Sequence, residues 1–352
     1  MSLLLLGPIK GTKTGQSICF STYVDSIKKR NVYIVDTNYS SQNKLFRAFK
    51  NIKCILQIIL FTTLIRPKKI YFTCSRNLLS SIKDLILINL SKIYGAKIFC
   101  HVHGSDFHDL YNLNGLYGHI IRKTYNKVDH LIVLTQRMHQ LLAPNFPKIE
   151  IIPNFVEFDG KITEKKNPPI TFLYLSNIMF SKGIFYLIDA FKELVDDYNI
   201  ELLIAGNFIS DSYMQEKDIK KKFLDEINGI KNISFLGYLD NPGKQEVLAK
   251  ANVFVLPTFY SSEAFPMSIL EALYFGNFII TTNHNSNSEI ITQENGDLIQ
   301  SRNLPALKKS MIEIINNESR LRKAFHLNHM YAKSFSKNRY IQSLNKLVFS
   351  DD

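Results

Sequence analysis

The sequence predicts an α/β chain built from two Rossmann-like domains, each a parallel sheet with helices on both faces. Three observations carry this expectation. The chain has 352 residues, more than the roughly 250–300 at which a single core stops growing. Short apolar runs alternate with helical periods along its whole length. The pattern breaks once near residue 155, where the charge balance also changes sign.

In the first half, Leu3–Leu6, Val32–Val35, Lys69–Thr73, Lys97–Val102 and Leu131–Leu134 are strand candidates. They are short and apolar on both faces, as strands covered by helices on each side must be. Between them lie helical stretches such as Leu78–Tyr94. In the second half Thr171–Leu175, Glu201–Ala205, Ile233–Leu236, Val253–Leu256 and Phe278–Thr281 repeat the pattern, with helices such as Gly183–Val195 between them. The apolar stretch after Glu150 gives way to the polar run Asp159–Pro169, which reads as a linker. The expected domains are therefore residues 1–155 and 156–334. Ligands of such sheets bind at the carboxyl ends of the strands, so the loops that follow them are where chemistry is expected.

A hydrophobic content of 45% with only 15 Gly and 11 Pro excludes disordered and collagen-like chains. The formal charge of +12 calls for an anionic partner. All of that excess lies in residues 1–155, with 21 Lys and Arg against 7 Asp and Glu, whereas the remainder is slightly acidic. No nucleic-acid recognition motif accompanies the charge, so no nucleic-acid partner is expected. Cys19, Cys54, Cys74 and Cys100 form no C-x-x-C pair and have apolar or aromatic neighbours, which suits buried thiols in a reducing compartment. The leucines after Met1 are too few for a signal peptide. The longest apolar run, Cys54–Ile65, falls well short of the roughly 20 residues that span a bilayer. A cytoplasmic protein without a transmembrane segment is the expectation.

The most informative segment is Ser262–Gly276. It follows a strand, has Pro266 where a helix tolerates proline, and ends at Gly276, a residue suited to close a helix. A helix start offers free N–H groups and partial positive charge to a diphosphate. Glu263 precedes the helix and Glu271 lies about a turn and a half within it, so the two carboxylates can meet groups on opposite sides of a bound diphosphate. Carboxylates accept from vicinal hydroxyls and therefore suit sugar rings. Elsewhere, His101 and His103 share one face of a strand end, but without a third ligand of suitable spacing they do not make a metal site. The loop Gly7–Gln16 fits neither the dinucleotide nor the Walker pattern. There is no Asp-x-Asp.

Together these segments resemble retaining glycosyltransferases of the two-domain GT-B fold, specifically family 4. Glu263 and Glu271 match the two glutamates of the E-x7-E signature. The resemblance implies that Glu263 contacts the donor sugar, with Glu271 on the nucleotide ribose. It implies that Lys182, in the stretch ending Lys182-Gly183, clamps the diphosphate. Asn177 stands where an arginine is usual, and Gln16 and Phe155 stand where glycines are usual. Gly206 ends the strand beside the nucleotide, while Ile233–Tyr238 resembles the segment flanking the base. Asn287–Ile291 with Asn295-Gly296 resembles the closing element of the same domain, Glu289 being read there as structural. His103, in His103-Gly104-Ser105-Asp106, approaches the transferred sugar; Asp106 orients either an acceptor hydroxyl or a loop. Gly15 belongs to a loop that closes over the donor phosphates, and Asn154 to the hinge. The domains face a central cleft, and a final helix, about 335–352, packs back on the first domain.

The implied activity is transfer of a sugar from a UDP- or GDP-linked donor, with retention and without a metal or other cofactor. The acceptor is lipid-linked or a growing glycan of bacterial capsule, O-antigen or lipopolysaccharide. The +14 domain then suits a lipid-diphosphate at the anionic inner face of the cytoplasmic membrane, with Lys44, Arg47, Lys50 and Lys53 ahead of the apolar run. A catalytically inactive sugar-nucleotide binder or a nucleotide-sugar epimerase on the same fold are the alternatives.

Overall fold

The structure, a computed structural model, describes residues 2–9, 14–28, 31–38, 44–158, 162–163, 165 and 168–350, apart from the side chains of Lys44 and Arg47. Residues 10–13 of the first glycine-bearing loop and six positions of the 159–169 linker thus lie outside the described residues, as do those two basic side chains. The chain forms two compact units, residues 1–154 with 338–352, and residues 155–337.

The first unit begins with β1 (Leu3–Gly7), α1 (Gly15–Ser26), β2 (Val32–Asp36), α2 (Lys44–Leu60), β3 (Lys69–Thr73), α3 (Leu78–Ile93) and β4 (Lys97–His101). It continues through α4 (Phe107–Tyr111), α5 (Gly115–Tyr125), β5 (His130–Val133), α6 (Gln136–Leu142) and β6 (Ile149–Ile151). All pairings are parallel, in the order β2-β1-β3-β4-β5-β6. The four leucines of β1 are at most 1% exposed because β1 is an inner strand flanked by β2 and β3. Each contributes roughly 1.5–3 kcal/mol of burial free energy. Helix starts are fixed locally. Thr14 and Ser17 form a capping box on α1, and the Asn77 side chain accepts from Ser80 N–H at the start of α3.

The second unit runs β7 (Ile170–Leu175), α7 (Ile184–Lys192), β8 (Ile200–Ala205), α8 (Glu216–Ile227), β9 (Ile233–Phe235), α9 (Asn241–Lys250), β10 (Val253–Leu256), α10 (Met267–Tyr274), β11 (Phe278–Thr282), β12 (Gly296–Ile299), α11 (Leu304–Ile315) and α12 (Glu318–Ala332). Its parallel order is β12-β11-β10-β7-β8-β9. This is the doubly wound arrangement of dinucleotide-binding folds, with the direction of winding reversing between β7 and β10. The last helix, α13 (Lys337–Phe349), buries Tyr340, Leu344 and Val348.

All four cysteines are buried thiols outside any disulfide. One expectation needs correction. Helix α2 and the π-helical turn Phe61–Ile65 extend the apolar run back to Ala48, giving 18 residues of mean hydropathy 1.5, only 17% buried. This stretch is long and apolar enough to cross a membrane by length and composition. Lys50 and Lys53 interrupt the run along the linear sequence, whereas on the helix they leave one face continuously apolar.

Candidate functional site

The loops after β7 and β10 meet at the winding reversal of the second sheet, where ligands of such folds bind. After β7 the chain turns through Phe180–Lys182 and enters α7 at Gly183. Gly183 has φ +79°, and a Cβ there would lie 2.1 Å from the Pro257 carbonyl oxygen. No other residue lets the β7 turn close so tightly on the β10 turn.

That closure sets Lys182 against Glu263. Their side chains form an ion pair and are 11% and 10% exposed. Glu263 also accepts from the Thr258 hydroxyl at 3.3 Å. Lys182 Nζ lies 5.2 Å from the centre of the Tyr260 ring, a cation–π contact. Tyr174 at the core of β7 is close enough to Glu263 to feel its charge; burial first, and that carboxylate second, push the phenol well up. The Ser261–Glu263 loop is stapled from the β11 side. Asn285 Nδ2 donates to the Ser261 and Glu263 carbonyls at 3.0 and 2.8 Å, and His284 Nε2 is 3.0 Å from the Tyr260 carbonyl. Both residues thus hold the loop through side-chain hydrogen bonds.

Glu271 is held separately, in α10. It is 9% exposed, and Lys244 from α9 reaches both its oxygens, at 3.1 and 3.4 Å. Burial raises the Glu271 carboxyl, and the Lys244 charge and hydrogen bond oppose that rise. Pro266 is the residue before α10, with φ −65° and ψ 117°, one position earlier than the first turn expected for it. Asn177 lies beyond the end of β7, its carbonyl accepting from the Tyr174 hydroxyl at 3.0 Å. Gly206 follows β8 with φ +154°; a Cβ there would lie 1.8 Å from the Ser176 carbonyl oxygen. Lys182, Asn177, Gly206, Glu263, Pro266 and Glu271 thus all lie in the second unit, on or beside the carboxyl ends of its strands. Glu289 is exposed in a short 3-10 turn, as a structural reading allows.

His103, Asp106 and Gly15 belong to the first unit. Gly15 is the first residue of α1. His101 hydrogen-bonds Tyr71 through Nδ1 at 2.7 Å, and its ring centre is 4.0 Å from that of His103. Burial first, and then the Arg76 charge, push the His103 imidazole down to about 3, with Asn154 acting in the opposite direction. His103 is therefore neutral near pH 7, able to donate from one nitrogen and accept at the other. Asp106 lies 3.9 Å from Arg76. Asn154 accepts from the Cys19 thiol at 3.2 Å and is 4% exposed; Phe155 is 3% exposed.

Sequence reasoning missed Thr258, Tyr260, Lys244, Asn285 and Arg76. Thr258 and Tyr260 carry a faint signal, being polar residues directly after an apolar strand. Lys244 lies 27 positions from Glu271 and has none, since only the packing of α9 brings it there.

Two doubly wound parallel units, with a buried Lys–Glu pair at the winding reversal of the second, define a GT-B protein. The chain superposes on HepE of Anabaena, solved in complex with UDP, over 100% of both chains with a TM-score of 0.76; at 14% identity this shows the fold. Residues 156–329 match the family model described as glycosyl transferases group 1. The match and the fold support a group 1 glycosyltransferase. Among curated relatives, the D-rhamnosyltransferase WbpZ of Pseudomonas aeruginosa is 29% identical over 118 residues, 34% of this chain and 28% of that protein. The capsular polysaccharide biosynthesis glycosyltransferase CapH of Staphylococcus aureus is 28% identical over 187 residues, 48% of this chain and 50% of that one. The alignments thus span half or less of these two relatives' own lengths.

Proposed function

We propose that the protein is a family 4 glycosyltransferase that moves a sugar from a UDP- or GDP-linked donor, with retention, to a lipid-linked or growing glycan acceptor in bacterial surface polysaccharide synthesis. The observation that carries this is the buried Lys182–Glu263 pair at the winding reversal of the second sheet, beside a second buried glutamate held by Lys244. A diphosphate arriving there exchanges Glu263 for phosphoryl oxygens on Lys182 and frees the carboxylate for sugar hydroxyls. Glu271 accepts from the ribose. HepE, bound to UDP, and CapH, named for capsular polysaccharide synthesis, support the donor and the product class.

The departing diphosphate needs positive charge. Lys182 and the α10 start supply it, so the activity is proposed to need no metal or other cofactor. We read the reaction as front-side substitution. The bond from C1 to the diphosphate oxygen breaks, the acceptor oxygen bonds to C1 on the same face, and its proton passes to the departing phosphate. His103 serves turnover rather than nucleotide binding, and Gly15 the donor phosphates.

Peripheral attachment to the inner face of the cytoplasmic membrane belongs to the same proposal. From Thr37 to Lys83 there is no acidic residue and there are nine Lys and Arg. Leu45, Phe49, Ile52, Leu56 and Leu64 of α2 and the turn after it are all more than half exposed. An apolar helix face with a basic surround suits the surface of an anionic bilayer. The test is a thermal-shift screen of nucleotide sugars, followed by NMR of the product formed with the best donor. The expected product keeps the donor's anomeric configuration; an inverted product, or stabilisation by no nucleotide, overturns the reading.

A further inference from the structure

We propose that Asp211 is a positioning residue for Lys182: from the loop after β8 it fixes the turn that carries the lysine, so that the ammonium meets the donor's diphosphate. The proposal rests on the donor reading above and assigns a carboxylate that the reading leaves without a task.

A lysine ammonium sits at the end of a flexible four-carbon stem. Where Lys182 Nζ can reach is therefore set by how firmly its backbone is held. On the C-terminal side the chain is fixed at Gly183, which closes on Pro257. On the N-terminal side the fixed residue is Ser181, which is 1% exposed. Both backbone groups of Ser181 are hydrogen-bonded from outside the turn. Its N–H donates to Asp211 Oδ2 at 2.6 Å, and its carbonyl accepts from the Phe259 N–H at 2.7 Å. The two peptide planes flanking Ser181 are thus fastened, one to the loop after β8 and the other to the loop after β10.

The two oxygens of Asp211 serve different ends. Oδ1 accepts from the N–H groups of Tyr213 and Met214 at 2.9 and 3.0 Å, which is ordinary turn chemistry within its own loop. Oδ2 instead reaches across 30 positions to Ser181, a bond that no local turn requires. Burial pushes the Asp211 carboxyl up, but hydrogen bonds from Ser181, Tyr213 and Met214 outweigh it and hold the group below the usual carboxylate range. The carboxylate is therefore ionised and its bond to Ser181 is charge-assisted.

The loop that carries Asp211 is itself clamped. Phe180, Tyr213 and Phe259, from the loops after β7, β8 and β10, form a triangle with ring centres 5.5, 5.8 and 5.9 Å apart. Arg302, after β12, lies over two of these rings, its guanidinium 4.3 Å from the centre of Phe259 and 5.1 Å from that of Tyr213, and it donates to the Tyr213 hydroxyl at 2.6 Å. Its φ of +58° is one that a residue other than glycine keeps only where its surroundings impose it. Four strand-end loops are thereby tied into one frame, and Asp211 is the member that holds the backbone of the Lys182 turn.

The experiment compares wild type with Asp211→Ala in the full chain. Calorimetry gives the affinity for UDP and GDP and for the matching monophosphates, and urea unfolding with Lys182→Met and Glu263→Gln gives the Lys182–Glu263 coupling in each background. In Asp211→Ala the affinity for the nucleoside diphosphate should fall about tenfold or more, and that for the monophosphate by less than about twofold. The coupling should fall by about half or more. Asp211→Asn, which keeps one acceptor oxygen, should lie between the two in both readouts, and it replaces Asp211→Ala if that variant does not fold. Equal losses for diphosphate and monophosphate, the mark of a merely structural role, or an unchanged coupling overturn the proposal. A chain that binds no nucleotide yet loses the coupling in the Asp211 variants fails the donor reading and leaves Asp211 as the residue that places Lys182. Nucleotide binding with an unchanged coupling fails this proposal alone.

Discussion

Replacing Lys182 by Met should destabilise the second unit sharply, and replacing Glu263 as well should restore much of the loss. The pair is 11% and 10% exposed, so removing the ammonium takes the charged partner from a buried carboxylate to which the Thr258 hydroxyl still donates at 3.3 Å. Breaking a buried pair from one side costs about 3–5 kcal/mol, whereas replacing both charges is often close to neutral. For a unit of this size each kcal/mol moves the melting temperature by about 2–4 °C. The single variant should therefore melt about 6–20 °C lower, and Lys182→Met/Glu263→Gln should recover most of that difference. Urea unfolding of wild type, both single variants and the double variant closes the cycle. A coupling below about 0.5 kcal/mol would refute a buried pair, since that is what an exposed one is worth. The same variants read the donor site: stabilisation by nucleotide should vanish in Lys182→Met.

Glu271→Ala should weaken nucleotide binding, while His103→Ala mainly lowers turnover, a split resolved by comparing calorimetric affinity with steady-state rates. Lys244 opposes the upward push of burial on Glu271, so in Lys244→Met nucleotide affinity should be lost at higher pH than in wild type as pH falls; superimposable profiles would dismiss that role. His103 titrates near 3 in the folded chain and near 6.5 unfolded, so its contribution to stability is complete above about pH 6.5 and drains away as pH falls toward 3. At pH 5 the loss is about 2 kcal/mol, and His103→Gln should flatten the pH dependence of unfolding by that amount. Phe49→Glu with Ile52→Glu should abolish flotation with phosphatidylglycerol vesicles; retained flotation would move the membrane contact off α2.

The sequence by itself determined the two parallel α/β units, because buried strands must read as short apolar runs and the loops between them as polar turns. It also determined that Glu263 and Glu271 flank a helix start, since their separation is a matter of helical rise. What it could not contain is partnership across distance. Lys182 and Glu263 are 81 positions apart and meet because β10 lies beside β7 in the sheet and Gly183 lets the two turns touch. Lys244 finds Glu271 through helix packing, and Arg76 finds His103 because β3 and β4 are neighbours. The α2 face shows the same limit in another form: linear spacing cut its apolar run at Lys53, and only helical winding makes one continuous surface from Leu45 to Leu64. Local pattern follows from each residue's own solvation and backbone preference, whereas a site follows from which strand ends the sheet order makes adjacent.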